Sequence, residues 1–467
     1  MKGAKIGLLL VILAFGSTVE TAWRIRNHIG PGAWGWFTGR HFDGPSFTFD
    51  AQQTEVVAAS TPVEVENAFG AVNVSAGAPG EVRITLRKVV YLGAQDKARA
   101  FADRIQLQAV REGGALRVRT NRADLDHRLT GGDSEADFQT HLDVLVPPGT
   151  AVKVQNEHGA VAVTDVARAD VSASFDTVRV ERVAGPADIE ARHGDVRATG
   201  IKGDLKLTNR HGDVTIEDVE GKATLDVQHG EVSATRVGGL VVSGAHGDVT
   251  ADAVHGDFDV HTQHGAVRGV DVTGRASVET SFQGVTLEKV GGDARVHTEH
   301  GEVSLTDVTG AVDAQASFDD VSLTRIGGPA TVTVSHGAVR ARGLEKGARV
   351  RASGDEVVLD GFRGPVDIEA ERAMVRLVPT GAIGAAVKVT ATHGAIELDV
   401  PAGSRIDVQA SAQSGEITTD VPGLSATQMG PGKLTATLGG GGNAVVLSTS
   451  HGDVRLRGAA AVAEKTP

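Results

Sequence analysis

His-Gly pairs recur in register along the chain, at His158, His193, His211, His229, His246, His264, His300, His336, His393 and His451. Five of them, His193, His211, His229, His246 and His264, follow one another at intervals of seventeen or eighteen residues. Imidazole is the commonest metal ligand in proteins. An acidic residue stands two places after four of these histidines, as Asp195, Asp213, Glu231 and Asp248. Stacked in register on parallel strands about 4.8 Å apart, such a row is one candidate donor set for zinc or nickel.

The same register carries a second reading. Phe175, Phe282 and Phe318 occupy the position of the histidine in other repeats, and phenyl rings ligate no metal. What His and Phe share is a flat ring that stacks on a neighbour. The structural ladder expected on this ground runs His193, His211, His229, His246, His264, Phe282, His300, Phe318 and His336, half-buried, on the side of the Val three places on. Asp176, Gln283, Asp319 and Asp355 replace the following Gly in some repeats, and Asp tolerates positive φ, so a corner is expected there. The acidic row reads as solvated surface, partly offset by Arg197 and Arg236. His255, His261 and His297 fall off the register and read as surface residues.

Catalytic chemistry has one candidate stretch. Between Lys346 and Leu377 the His-Gly pair disappears, and Arg349, Arg351, Asp355, Glu356, Asp360, Arg363, Glu371, Arg372 and Arg376 crowd together. Convergent carboxylates beside Arg are what a carbohydrate-active β-helix enzyme would need. The plainer reading is a charged, solvated face. The sequence has no nucleophile motif, phosphate loop or dinucleotide fingerprint. "LGGGGN" near Gly439 lacks the Lys-Ser/Thr of a phosphate loop, and the nine-residue calcium-coil pattern is missing. No catalytic residue, cofactor or metal is therefore assigned.

The elements that position these residues are short strands. From about Ala151 each repeat reads His-Gly-acid-Val-x-apolar-x-x-Val-x-Gly-x-Ala-x-Val-x-Val-x, with the His as position one. Position nine is Val219, Val237, Val254, Val272, Val290 and Val308, and position eleven is Gly203, Gly221, Gly239, Gly256 and Gly274. Two period-two runs separated by Gly turns make one coil that has no core of its own. Stacked coils share one, which predicts an all-β parallel β-helix over residues 151–458. Counting from His158 to His451 gives roughly sixteen coils of eighteen residues and a length of about 75 Å.

Composition agrees. The chain has 467 residues, 60 of them Gly, and only 4% are aromatic, which suits a thin repeated core better than a bulky one. Cysteine is absent, so a disulfide framework, a thiol nucleophile and Cys-ligated zinc are excluded. The net charge of -13 and the lack of a basic stripe exclude nucleic acid as a partner.

Before the coils, residues 46–150 read as strands with one helix, a cap for the open end of a solenoid. "AQDKARAFADRIQLQAV" carries that helix, with Ala98, Phe101, Ala102 and Ile105 on one face. Residues 1–23 begin with Lys2 and Lys5 and continue into the apolar run Ile6–Gly16, a signal peptide or an uncleaved anchor. Residues 24–45, with Trp34, Trp36 and Phe37, read as a linker, and residues 459–467 as a disordered tail.

Three stretches resemble a bacterial family of putative adhesins, the domain of unknown function numbered 4097. They are "HLDVLVPPGTAVKVQNEHGAVAV", the recurring "xGxVxL" coil and the closing "AVVLSTSHGDVRLRG". The resemblance covers most of residues 46–458 and implies an exported β-solenoid. It brings no catalytic residues. The expected function is non-enzymatic, adhesin-like or structural, at the cell envelope. Expected partners are a protein or glycan at the cell surface or in the periplasm, and the membrane through the N-terminal segment if it is not cleaved. The alternatives are a metal-binding envelope protein using the His ladder and a carbohydrate-active enzyme.

Overall fold

The structure is a computed structural model, and it describes residues 45–58, 60–129 and 136–459. The expected signal peptide or anchor, nearly all of the linker with its tryptophans, and nearly all of the tail lie outside the described residues. The chain divides into two compact units, residues 1–147 with 155–159, and residues 148–154 with 160–467.

The first unit is built on an antiparallel sheet. Strand Glu81–Tyr91 pairs with Ser46–Val56 on one side and with Asp137–Val146 on the other. Helix Gln95–Ala102 buries Ala98, Phe101 and Ala102, and Phe101 meets Phe138 edge-on with ring centroids 5.4 Å apart. Ile105 is buried too, but it lies past the helix end. A second helix, Arg122–Leu129, was not expected. Among its residues whose burial is described, Leu125 is the one buried apolar side chain.

The second unit is the β-solenoid, of about 14 turns. Its strands pair in parallel, each residue opposite its equivalent one coil away. Val196 faces Val214, Ile201 faces Val219 and His193 faces His211. Inward positions four, six and nine are buried in coil after coil, as in Val214, Ile216 and Val219. Spacings of two and then three cannot both face inward on a straight strand, where sides alternate strictly. The chain solves this with a left-handed residue at position eight. Asp165, Arg182, Asp218, Arg236, Ala253, Asp271, Lys289, Asp307 and Arg325 all have φ between 52° and 58° there, and Gly200, Gly343 and Gly361 continue the row.

Glycine at two positions lets the backbones close up. A Cβ on Gly230 would lie 2.0 Å from the Gly212 carbonyl oxygen, and one on Gly221 would lie 2.6 Å from that of Gly203. Asp carboxylates complete the corners. Asp213 accepts the Glu231 backbone N–H of the next coil at 3.0 Å, and Asp204 accepts that of Lys222 at 2.9 Å.

The last coils are out of chain order. Strand Val387–His393 pairs with Asn443–His451, which pairs in turn with Ile406–Ser414. The far edge of Ile406–Ser414 takes Lys433–Leu438 antiparallel, and Ser425–Gly430 lies antiparallel outside that. The turns fall short of sixteen because this hairpin leaves the parallel stack.

Candidate functional site

The position-one residues form a continuous stack of rings from Phe175 to His336. Centroids of His193, His211, His229, His246 and His264 are 4.7 to 5.0 Å apart, with planes within 2°. Phe282, His300, Phe318 and His336 continue it at 4.5 to 5.6 Å, and Phe175 begins it 5.0 Å from His193. His158 stacks on Phe69 inside the first unit, at 4.3 Å.

The stack faces solvent. His193, His211, His229, His246, His264 and His336 are exposed, and Phe282 and Phe318 are 47% and 53% exposed. This corrects the expected half-buried placement for all of the ladder but His300, which is half-buried. Counting sides in twos fails across the turn that separates position one from the Val at position four. Of the residues replacing Gly at position two, Asp176 has the expected positive φ, at 93°.

Inward side chains hold the turn from within. The buried Asn209 donates from Nδ2 to the carbonyls of Gly194 and Gly212, at 3.1 and 3.0 Å. Thr449 does the same service for Gly394 at 3.1 Å. The His-Gly pair thus combines an outward ring with a backbone passage that a neighbouring coil leaves no room to widen.

Stacking in this form works against chelation. Two nitrogens on one tetrahedral zinc, each about 2.1 Å from the metal, stand about 3.4 Å apart. Rings related by the coil translation hold equivalent nitrogens near the centroid spacing, 4.7 to 5.0 Å. Among the described residues no group of three or more His, Asp or Glu is placed to hold a metal ion. The acidic row is used elsewhere: Asp195, Asp213 and Asp248 accept backbone N–H groups one coil on. Arg236 pairs instead with Asp218 and Glu217, and Arg197 lies 3.6 Å from Glu217.

The charged stretch resolves into rungs between coils. Arg349 pairs with Asp367, Arg351 with Glu369, Arg342 with Asp360 and Arg363 with Glu345, at 3.0 to 3.7 Å. Arg340 reaches Asp320 at 2.6 Å and Glu356 at 3.8 Å. Arg376 comes within 3.9 Å of Glu397. Arg372 and Asp355 join none of these pairs. They line a cleft of about 380 Å³ with His336, Phe318 and Gly354, where the ladder stops.

Two charged features escape a reading by motif. At the position-eight corner, acid and base alternate between coils, as in Asp165–Arg182, Asp218–Arg236, Asp271–Lys289 and Asp307–Arg325. The Arg hydrogen bonds hold Asp165, Asp218 and Asp307 below the usual carboxylate range. The alternation is visible in the sequence one residue before each position-nine Val or Ile. The other feature is Glu397, nearly buried, which receives Arg457 at 3.1 Å and Arg455 at 3.3 Å from the displaced C-terminal coil. Its partners come from distant sequence, so only the altered strand order finds it.

The off-register histidines are exposed. His261 lies 3.4 Å from Asp259 and 3.6 Å from Glu279, and His255 and His297 are surface residues. In the first unit, His141 is half-buried, and its Nδ1 accepts the Ala71 N–H at 3.0 Å. Burial, then the nearby Arg87, lowers its pKa, and Asp143 partly opposes them.

No curated protein sequence matches the chain. Among solved structures, a putative cell adhesion protein from Clostridium sporogenes aligns with 88% of this chain and 100% of its own, at 6% identity and a TM-score of 0.15. A putative lipid binding protein from Parabacteroides distasonis aligns with 73% of this chain and 96% of its own, at 11% identity and a TM-score of 0.19. A putative adhesin from Parabacteroides merdae also aligns with 73% of this chain and 96% of its own, at 8% identity and a TM-score of 0.16. At such scores these likenesses carry nothing beyond what the chain's own geometry shows. The Toastrack DUF4097 family profile matches twice, over residues 81–277 and 235–457. The two matches overlap within the repeat and together cover most of the chain, which belongs to the Toastrack DUF4097 family.

Proposed function

We propose that the protein is an exported, non-enzymatic β-solenoid that presents its outer face to a protein or glycan partner at the bacterial cell envelope. The observation that carries this reading is the ring stack. Ten flat side chains from Phe175 to His336 stand in one solvent-facing row, held in register by the coils beneath them. Rings kept rigid before contact lose little conformational freedom on binding, which is what a recognition surface needs. The basic start and apolar run of residues 1–23 support export.

The test is fractionation of cells producing the full chain and a form lacking residues 1–23, followed by binding of the purified protein to whole cells and isolated envelopes. The full chain should be found in the envelope or outside the cell, the shortened form in the cytoplasm. Binding should fall when His211, His229 and His246 are replaced together by Ser. A full chain that stays in the cytoplasm would overturn the proposed location, and binding unchanged by the triple replacement would remove the ring stack from the account.

A further inference from the structure

The ladder has a gap, and the gap has the dimensions of one missing ring. Strand register places Gly354 one coil beyond His336, Arg372 the next coil on and His393 after that. Gly354 hangs nothing over the His336 ring. Nor can the chain fill the place itself, because a Cβ on Gly354 would lie 2.5 Å from the backbone of Gly337. Two coils separate His336 from Arg372, so their side chains start about 9.6 Å apart, twice the strand spacing. One flat group between them would sit near 4.8 Å from each, the spacing the ladder already uses.

The charges point to the same place. In this stretch Arg340, Arg342, Arg349, Arg351, Arg363 and Arg376 are each matched to an acid on a neighbouring coil. Among the described residues Arg372, Asp355 and Glu371 have no such pair, and Arg372 and Asp355 line the cleft of about 380 Å³ at the gap. Met374, two residues on from Arg372, stands where earlier coils carry Asp195 or Asp213, and it is 39% exposed. An exposed thioether and a guanidinium both favour aromatic rings as neighbours.

We propose that this gap is a binding slot for a single aromatic side chain of a protein partner, one with a hydrogen-bond donor on its edge, as in tyrosine or tryptophan. The ring stacks on His336 from one side and meets the Arg372 guanidinium on the other. The Asp355 carboxylate accepts the phenol O–H or indole N–H. The ladder itself shows what the spacing takes, since Phe and His alternate in it at 4.5 to 5.6 Å. The proposal rests on the binding role above and narrows it to one contact chemistry.

The experiment titrates the full chain with N-acetyltyrosinamide and N-acetyltryptophanamide, following the imidazole NMR signals of His336 and of His211 as a distant control. Methyl β-glucoside is titrated in parallel. Both amides should saturate the His336 signal with a dissociation constant of order 1 mM, as befits one ring. Arg372→Ala and Asp355→Ala should each weaken binding by about tenfold, the weight of one partly desolvated contact. Arg363→Ala, which removes a paired arginine outside the cleft, should leave it unchanged. The ring signals of His393 and His451 show whether each variant keeps its coils. Absence of saturation, equal binding of the glucoside, or amide binding indifferent to both Arg372→Ala and Asp355→Ala would overturn the slot. Cell binding retained by Arg372→Ala would leave the broader envelope role standing, so the two failures are separable.

Discussion

His393 stacks on His451, with ring centroids 4.7 Å apart and planes within 7°, although Ser414 lies between them in the sequence. The spatial order is His393, His451, Ser414. The final segment of the chain therefore inserts between two coils that precede it. Its strand Asn443–His451 has a parallel partner on each edge, and its last strand bears the arginines that reach Glu397. A chain end placed this way acts as a wedge, not as a loose last turn.

Removal of residues 433–467 should accordingly do more damage than loss of an end coil. It strips one of the two partners from Val387–His393, leaves Glu397 without Arg455 and Arg457, and opens a strand edge able to pair with other chains. The shortened protein should unfold at lower urea concentration and elute as aggregates. Deleting the exposed strand Ser425–Gly430 with a short linker should change the urea midpoint little, because every residue of that strand is exposed. Equal damage from both deletions would show that the hairpin, not the inserted coil, holds this end.

At position one the ring should be replaceable and the glycine should not. His229→Phe keeps a flat ring between His211 and His246, and its stability should stay within about 1 kcal/mol of the parent. Gly230→Ala puts a methyl group 2.0 Å from a backbone oxygen at a φ of 148°. Its loss should be among the large ones, about 3 kcal/mol or more. Urea denaturation of the two variants decides the matter. A His229→Phe loss as great as that of Gly230→Ala would mean that position one depends on imidazole itself.

The corner at position eight makes a separate prediction. Asp218 is left-handed, with φ of 56°, and its carboxylate takes the Arg236 guanidinium of the next coil. Asp218→Gly removes the ion pair but also the cost of the left-handed residue, so the net change should lie within about 1 kcal/mol. Asp218→Val keeps a Cβ, adds a branch and loses the pair, and should cost about 2 kcal/mol. Thermal unfolding that ranks Val as the milder change would rule out the left-handed corner.

The repeat is legible in the sequence because most coils place a buried aliphatic residue, usually Val, at the same inward positions and a Gly where the neighbouring backbone crowds. The ring register is legible for the same reason. The outward direction of the rings is not, because a side-alternation count loses its phase at each turn. Position eight hides because Asp, Arg, Ala, Lys and Gly all occupy it, and what they share is a backbone angle. The order of the last three coils hides most deeply. Strands Val387–His393, Ile406–Ser414 and Asn443–His451 carry the same alternating pattern, and which two become neighbours depends on the hairpin that carries the chain past the stack. The helix Arg122–Leu129 has too few apolar residues to announce itself.

The first unit should respond to mild acid through His141. Its Nδ1 accepts the Ala71 N–H, so the folded state requires that nitrogen unprotonated. Burial and Arg87 push the pKa below the ordinary value, with Asp143 pulling the other way. The unfolded chain titrates near 6.5 and thus binds more of this proton than the folded chain does between the two values. Stability then rises with pH across that interval. The contribution is complete above the unfolded pKa, and a penalty grows as pH falls below about 6.5 toward the folded value. The corner carboxylates act with the same sign in a lower window: the Arg hydrogen bonds hold Asp165, Asp218 and Asp307 below the ordinary carboxylate pKa, so their contribution is complete above about 3.9 and is lost as pH falls below it. The interval from about pH 7 to 5 is therefore where His141 stands apart. Urea unfolding across that interval should show the parent losing stability toward pH 5 more steeply than His141→Gln, whose amide oxygen can accept the same N–H and does not titrate. Parallel pH slopes in the two proteins would mean that His141 gains or loses its proton alike in the folded and unfolded chain.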